Sequence, residues 1–109
     1  MTTRHKLALR MFLVAATLGA VTLFGATRAR AREANQAQLA TGFSAKETCS
    51  CAFAAEQSDD YCREFGTPAG IQVEIAIDRK AKTATSTFLG VARTARFTDG
   101  QGCLLDPLP

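Results

Sequence analysis

Four cysteines set the strongest limit on how this chain folds: Cys49, Cys51 and Cys62 fall within fourteen residues, and Cys103 stands alone near the C-terminus. If all four are paired, the chain must travel out and return so that Cys103 meets the cluster. Four cysteines allow three pairings. On a helix Cys49 and Cys51 project in opposite directions, so they bond to different partners rather than to each other. A short connection to a second helix puts Cys62 within reach of Cys51, leaving Cys49 for Cys103. The expected pairs are therefore Cys51 with Cys62 and Cys49 with Cys103. Closing the long loop is worth about 4 kcal/mol in the chain-entropy model. A four-thiolate zinc or copper site is the alternative. It is disfavoured because structural zinc sites use two close C-x₂₋₄-C pairs, whereas only Cys49-x-Cys51 is close here. The single histidine, His5, lies far from the cysteines. No metal site and no cofactor is expected.

The N-terminus supplies the compartment in which disulfides persist. Arg4, Lys6 and Arg10 precede Met11–Ala26, sixteen residues without a charge, and Ala29-Arg30-Ala31 then offers an A-x-A pair. This layout is that of a secretory signal peptide cut after Ala31. A retained membrane anchor is the second reading: sixteen apolar residues fall short of the ~20 that span a bilayer, but Leu7–Leu9 extend the run. No cysteine follows the run closely enough for a lipoprotein, and no Arg-Arg pair suggests the twin-arginine route. Residues 1–31 are thus read as signal peptide or membrane anchor, 32–105 as one small domain and 106–109, with Pro107 and Pro109, as a tail. The destination is exported, periplasmic or extracellular, or the inner membrane if the segment is retained.

Splitting the charge at Ala31 removes the case for a nucleic-acid partner. The whole chain is +3, but the first 31 residues hold five of the thirteen basic residues and none of the ten acidic ones. What remains is eight basic against ten acidic, a net charge of −2, which is not an electrostatic footprint for nucleic acid. Residues 32–109 also carry only six aromatics. A core that small needs crosslinks.

Along the domain, residues 32–57 are rich in Ala, Gln, Glu and Lys and favour helix, with Gly42 as a place where it can break. Leu39, Phe43, Cys49 and Phe53 share an arc of about 120° and form the expected core stripe, although Lys46 and Ser50 interrupt it. Ser58 to Gly66 reads as a short second helix. Ser58 caps it, Asp59 and Asp60 suit the positive end of its dipole, and Gly66 supplies a left-handed stop before Pro68. From Ile71 the period becomes two, with Ile71, Val73, Ile75 and Ile77 on one face. A polar turn at 78–82 leads to a Thr-rich strand, 83–89, with Ala84, Ser86 and Phe88 inward. Gly90 reverses the chain into Val91–Thr98, with Ala95 and Phe97 inward, and a turn at 99–102 follows. The expected fold is α+β: N-terminal helices on a three-stranded antiparallel meander, with two disulfides.

Candidate chemistry is sparse. Histidine-based triads are absent from 32–109, and S-x-x-K is absent because Ser44-Ala45-Lys46 has one residue too few. Lys82-Thr83-Ala84 looks like a degraded K-T-G, but a lone tripeptide in a Thr-rich hairpin without its nucleophile is read as chance. Asp59-Asp60 are explained as helix-end charges, and Arg79, Lys80 and Lys82 as a solvated hairpin tip. No catalytic residue is assigned, and the chain is expected not to be an enzyme.

Several short segments nevertheless carry a likeness. Thr41-Gly42-Phe43-Ser44-Ala45-Lys46, Cys49-Ser50-Cys51-x-Phe53, Val73-x-Ile75-x-x-Asp78 and Ala95-x-Phe97-x-x-Gly100-x-Gly102-Cys103-x-Leu105 together resemble the N-terminal region of exported bacterial serine hydrolases of the beta-lactamase-related, penicillin-binding type. The likeness spans roughly residues 40 to 105. In that family the S-x-x-K nucleophile lies downstream, and no position up to Pro109 matches it, so no catalytic residue carries over. The resemblance implies an accessory domain that stands alone at the cell envelope, or a truncated fragment or subunit of such a hydrolase. Its partner would be an envelope protein or a separately encoded hydrolase domain. A thiolate metal-binding protein is the remaining alternative.

Overall fold

The computed structural model describes residues 2–108; Met1, the first residue of the leader, and Pro109, the last of the tail, lie outside the described residues. Internal contacts divide the chain into two units, Met1–Glu33 and Ala34–Pro109. The first is helical throughout its described length, and every described side chain in it is exposed. Its threonines hydrogen-bond their own helix: Thr17 Oγ1 donates to the Leu13 and Val14 carbonyls, Thr22 Oγ1 to those of Leu18 and Gly19, and Thr27 Oγ1 to that of Phe24.

The second unit is α+β. Helix α1, Thr2–Cys49, passes through Gly42 without the anticipated break and continues into a π-helical turn, Ser50–Ala54. Helix α2 is Asp59–Phe65, followed by strands β1 (Glu74–Asp78), β2 (Thr83–Phe88), β3 (Val91–Thr98) and β4 (Gly102–Leu105). The strands form an antiparallel meander in the order β1-β2-β3-β4. The fourth strand exceeds the expected three. Four residues holding Gly102 give too little alternation to announce a strand, but the turn at 99–101 aligns them with β3, pairing Phe97 with Cys103 and Ala95 with Leu105. At the other edge β1 begins at Glu74 rather than Ile71. The Ile71 N–H instead closes a turn on the Pro68 carbonyl.

Half of the expected stripe meets the core, since Cys49 is buried in it and Phe53 packs against it, but Leu39 and Phe43 do not. Leu39 and Phe43 are 74% and 56% exposed, whereas Ala37, Thr41, Ser44, Ala45, Thr48 and Cys49 are buried. At 100° per residue the buried group lies roughly opposite Leu39. The sheet explains the difference, because its inner face is also built of small residues: Ala84, Ser86 and Ala95 are fully buried, in the orientation their period predicts. Ala45, Cys49, Ala84, Ala95 and Cys103 form one core cluster, flanked by Phe53, Phe97 and Leu105. Small faces allow the close approach that Leu and Phe would prevent. A Cβ on Gly42 would already stand 3.3 Å from Leu105 Cδ1.

Short-range chemistry shapes the connections. Ser58 caps α2 as expected, its Oγ accepting from the Tyr61 N–H at 3.3 Å. Gly66 does not adopt the left-handed stop; its φ is −80°. Glycine is required there for space, because a Cβ would fall inside the Thr48 side chain. The Asp78 carboxylate accepts from the Lys80 and Ala81 N–H groups to close the first hairpin. Between Phe88 and Val91 the two-residue loop Leu89-Gly90 has φ of 49° and 74°, a type I′ turn that favours Asn-Gly over Leu-Gly.

Two stability changes are expected. Leu89→Asn, at an exposed position whose left-handed backbone strains a leucine, should raise unfolding stability by about 0.5–1 kcal/mol in urea denaturation. Gly66→Ala should lower it by about 1–3 kcal/mol through overpacking. Adding Thr48→Ala should recover most of that loss, and a double-mutant cycle showing no coupling would refute the contact.

Candidate functional site

The sequence-assigned site residues are the four cysteines, and the structure joins them as Cys49–Cys103 and Cys51–Cys62, with Cα–Cα separations of 6.1 and 5.5 Å. Two residues apart on the helix, Cys49 and Cys51 project in opposite directions, and the helix ends in a π-helical turn. The Ala55 N–H reaches the Ser50 carbonyl and the Gln57 N–H the Cys51 carbonyl, a wider turn than an α-helix makes. Cys49 meets β4, while Cys51 meets α2. Cys51, Ala52 and Cys62 form a second small cluster, with Phe53 and Ile77 packed against it.

An open groove of about 750 Å³ lies over this second disulfide. Cys51, Ala54 and Ala55 line one side, Tyr61 and Phe65 the other, with Glu47 at its edge. Tyr61 and Phe65 are one helical turn apart, their rings 6.3 Å between centroids and nearly parallel at 13°. Both remain just over half exposed. Their exposure follows from the length of α2: seven residues bury one narrow face, and Cys62 occupies it. The segment Tyr61-Cys62-Arg63-Glu64-Phe65 carries this pairing of a crosslinked cysteine with flanking aromatics, but nothing local in it signals that both rings stay exposed.

The supposed solvated tip does more than face water. Arg79 pairs with Asp59, its Nε donating to Oδ1 at 2.7 Å, while Nη2 donates to the Gln57 carbonyl at 2.9 Å. Its guanidinium also lies 5.8 Å from the Phe53 ring centroid. One planar side chain thus ties the first hairpin to the end of the π-helical turn and the start of α2. Asp59 is consequently an ion-pair partner as well as a helix-end charge. Lys82 Nζ sits 5.5 Å from the Phe97 ring centroid, and Lys80 is exposed.

The remaining sequence candidates do not converge. Ser44 is fully buried and its hydroxyl has no hydrogen-bond partner, whereas Lys46 is exposed. Lys82-Thr83-Ala84 runs from a hairpin turn with φ of 53° into β2, where Thr83 and Ala84 are buried. Among the described residues no cluster of His, Cys, Asp and Glu has metal-binding geometry. Comparison with protein-family models, with curated proteins and with solved structures finds no match.

The two crosslinks should contribute unequally. Removing Cys49–Cys103 as the paired alanine variant should cost about 4 kcal/mol and removing Cys51–Cys62 about 3 kcal/mol, since the closed loops differ in length. Urea unfolding followed by the fluorescence of Tyr61, the only tyrosine, measures both. Greater damage from losing the short loop would contradict the ranking.

Proposed function

We propose that this chain is an exported or membrane-anchored small domain, serving as a non-catalytic structural or interaction module at the cell envelope. One combination of features carries the reading: all four cysteines are crosslinked, in a chain whose apolar N-terminal helix exposes its large side chains. Disulfides of this kind persist in oxidising compartments. Phe12 is 79% exposed, and its apolar neighbours through Phe24 are similarly open, a surface suited to lipid or to removal by a signal peptidase. The helix is long and apolar enough to cross a membrane, and its threonine hydroxyls are internally bonded, as a hydrocarbon environment requires.

Flanking charge gives no orientation, because Arg4, Lys6 and Arg10 on one side are balanced by Arg28, Arg30 and Arg32 on the other. The disulfides favour an orientation with the C-terminal unit on the oxidising side. Exposed Tyr61 and Phe65 support the interaction role. The likeness to the N-terminal region of beta-lactamase-related serine hydrolases favours a second reading, a fragment or subunit of such an enzyme. An adjacent open reading frame with S-x-x-K near its start would move the assignment there. The thiolate-metal alternative requires the reduced chain.

Fractionation and intact-mass measurement test the proposal. The full chain expressed in a bacterial host should reach the membrane or periplasm, four hydrogens lighter than its thiol form. Loss or retention of residues 1–31 in the same spectrum separates secretion from anchoring. A cytoplasmic product with free thiols would overturn export, and covalent labelling by a fluorescent penicillin would overturn the non-catalytic role.

A further inference from the structure

A cleft of about 340 Å³ on the second unit combines a cationic end with an apolar wall. It is lined by Gln38, Leu39, Gly42, Phe43, Lys46 and Glu47 from α1, with Arg93 from β3 and Leu105 from β4, so two cations and one carboxylate face it. Arg93 is the unusual member. The inward period of β3 carries it onto the face that packs against α1, opposite Ser86, and it is half-buried there. Arg63, Arg79 and Arg96 each have a carboxylate partner, in Asp60, Asp59 and Asp106. Arg93 has none among the described residues. Asp106 lies beyond β4 opposite Thr94, on the other face of the sheet; its carboxylate pairs with the outward Arg96 at 3.1 Å, and it offers Arg93 only its backbone carbonyl at 3.5 Å. Neither Arg93 nor Lys46 is within ion-pair distance of Glu47 among the described residues.

A partly desolvated guanidinium without an anion is an unfavourable arrangement that a carboxylate or phosphate relieves in bidentate geometry. Gly42 lies at the floor of the cleft, where a Cβ would touch Arg93 Nη1 at an ordinary 3.7 Å and press on Leu105 Cδ1 at 3.3 Å. Beside this charged end, Leu39 and Phe43 stand exposed one turn apart on α1. The volume lies at the lower edge of ligand pockets, roughly 300–1,000 Å³.

We propose that this cleft binds a small anionic amphiphile, a carboxylate or phosphate on an alkyl chain, with the anion on Arg93 and Lys46 and the chain along Leu39, Phe43 and Leu105. The proposal does not depend on the hydrolase likeness. It also stands whether the N-terminal segment is cleaved or retained.

The test uses the full chain in phosphatidylcholine nanodiscs, with amide NMR shifts of Gly42 and Arg93 followed during titration with decanoate. Saturable shifts are expected, at least ten-fold weaker in affinity for Arg93→Gln, and absent with decanol or decyltrimethylammonium. Leu39→Ser, a change at an exposed position, should weaken decanoate several-fold and guards against a folding defect in the arginine variant. Equal binding by Arg93→Gln, equal binding of the cationic amphiphile, or no saturable shift would overturn the proposal. Inorganic phosphate matching decanoate in affinity would overturn its apolar half. The same shifts in phosphatidylglycerol nanodiscs without decanoate would identify bilayer lipid as the source, and their absence a free amphiphile.

Discussion

The contact between one helix face and one sheet face, closed by Cys49–Cys103, is what the remainder of the second unit depends on. Both faces are built from alanine, serine, threonine and cysteine, so they lie close but remove little apolar area from water. Each fully buried Leu or Phe would add about 1.5–3 kcal/mol, and no fully buried side chain here is larger than threonine or cysteine. Ser44, Thr48 and Ser86 add buried hydroxyls without protein partners. Crosslinking compensates for this weak core by limiting the unfolded chain. The sulfur bridge sits within the cluster of alanines and serves as both packing atom and constraint.

This economy leaves the large apolar side chains outside. Leu39 and Phe43 on α1, and Tyr61 and Phe65 on α2, are all more than half exposed. In an ordinary small domain such residues would form the core. Here the fully buried positions are small residues and cysteine, Phe53, Phe97 and Leu105 pack against their margin, and Leu39, Phe43, Tyr61 and Phe65 line the two clefts. Arg79 makes up for the missing apolar contacts at one such place. Together with Asp59, the Gln57 carbonyl and the Phe53 ring, it fixes a connection that has no apolar anchor of its own.

What the sequence disclosed follows from how local each signal is. The inward faces of β2 and β3, the Ser58 cap and the divergence of Cys49 from Cys51 are set by neighbouring residues, and all three appear in the structure. The stripe through Leu39 and Phe43 failed because hydrophobic periodicity weights large side chains, whereas the close helix–sheet approach selects Thr41, Ser44, Ala45 and Thr48. Gly66 was placed correctly as a helix end but for the wrong cause, since its need for space comes from Thr48, eighteen residues earlier. Strand β4 and the Arg79 contacts depend on partners distant in sequence and carry almost no local signal. The clefts themselves arise where elements fail to cover one another, which no single segment records.

The two-residue spacing of Cys49 and Cys51 on one helix has a consequence for assembly as well as for geometry. Cys62 is made soon after both, whereas Cys103 is synthesised last of the four. During that interval either cysteine can capture Cys62, and capture by Cys49 would leave Cys51 and Cys103 as a mismatched pair on different sides of the helix. Two residues apart on a helix, the pair project in opposite directions, so Cys51 faces α2 and Cys49 faces β4. The spacing of two chemically identical thiols along one helix is thus enough to give them different partners.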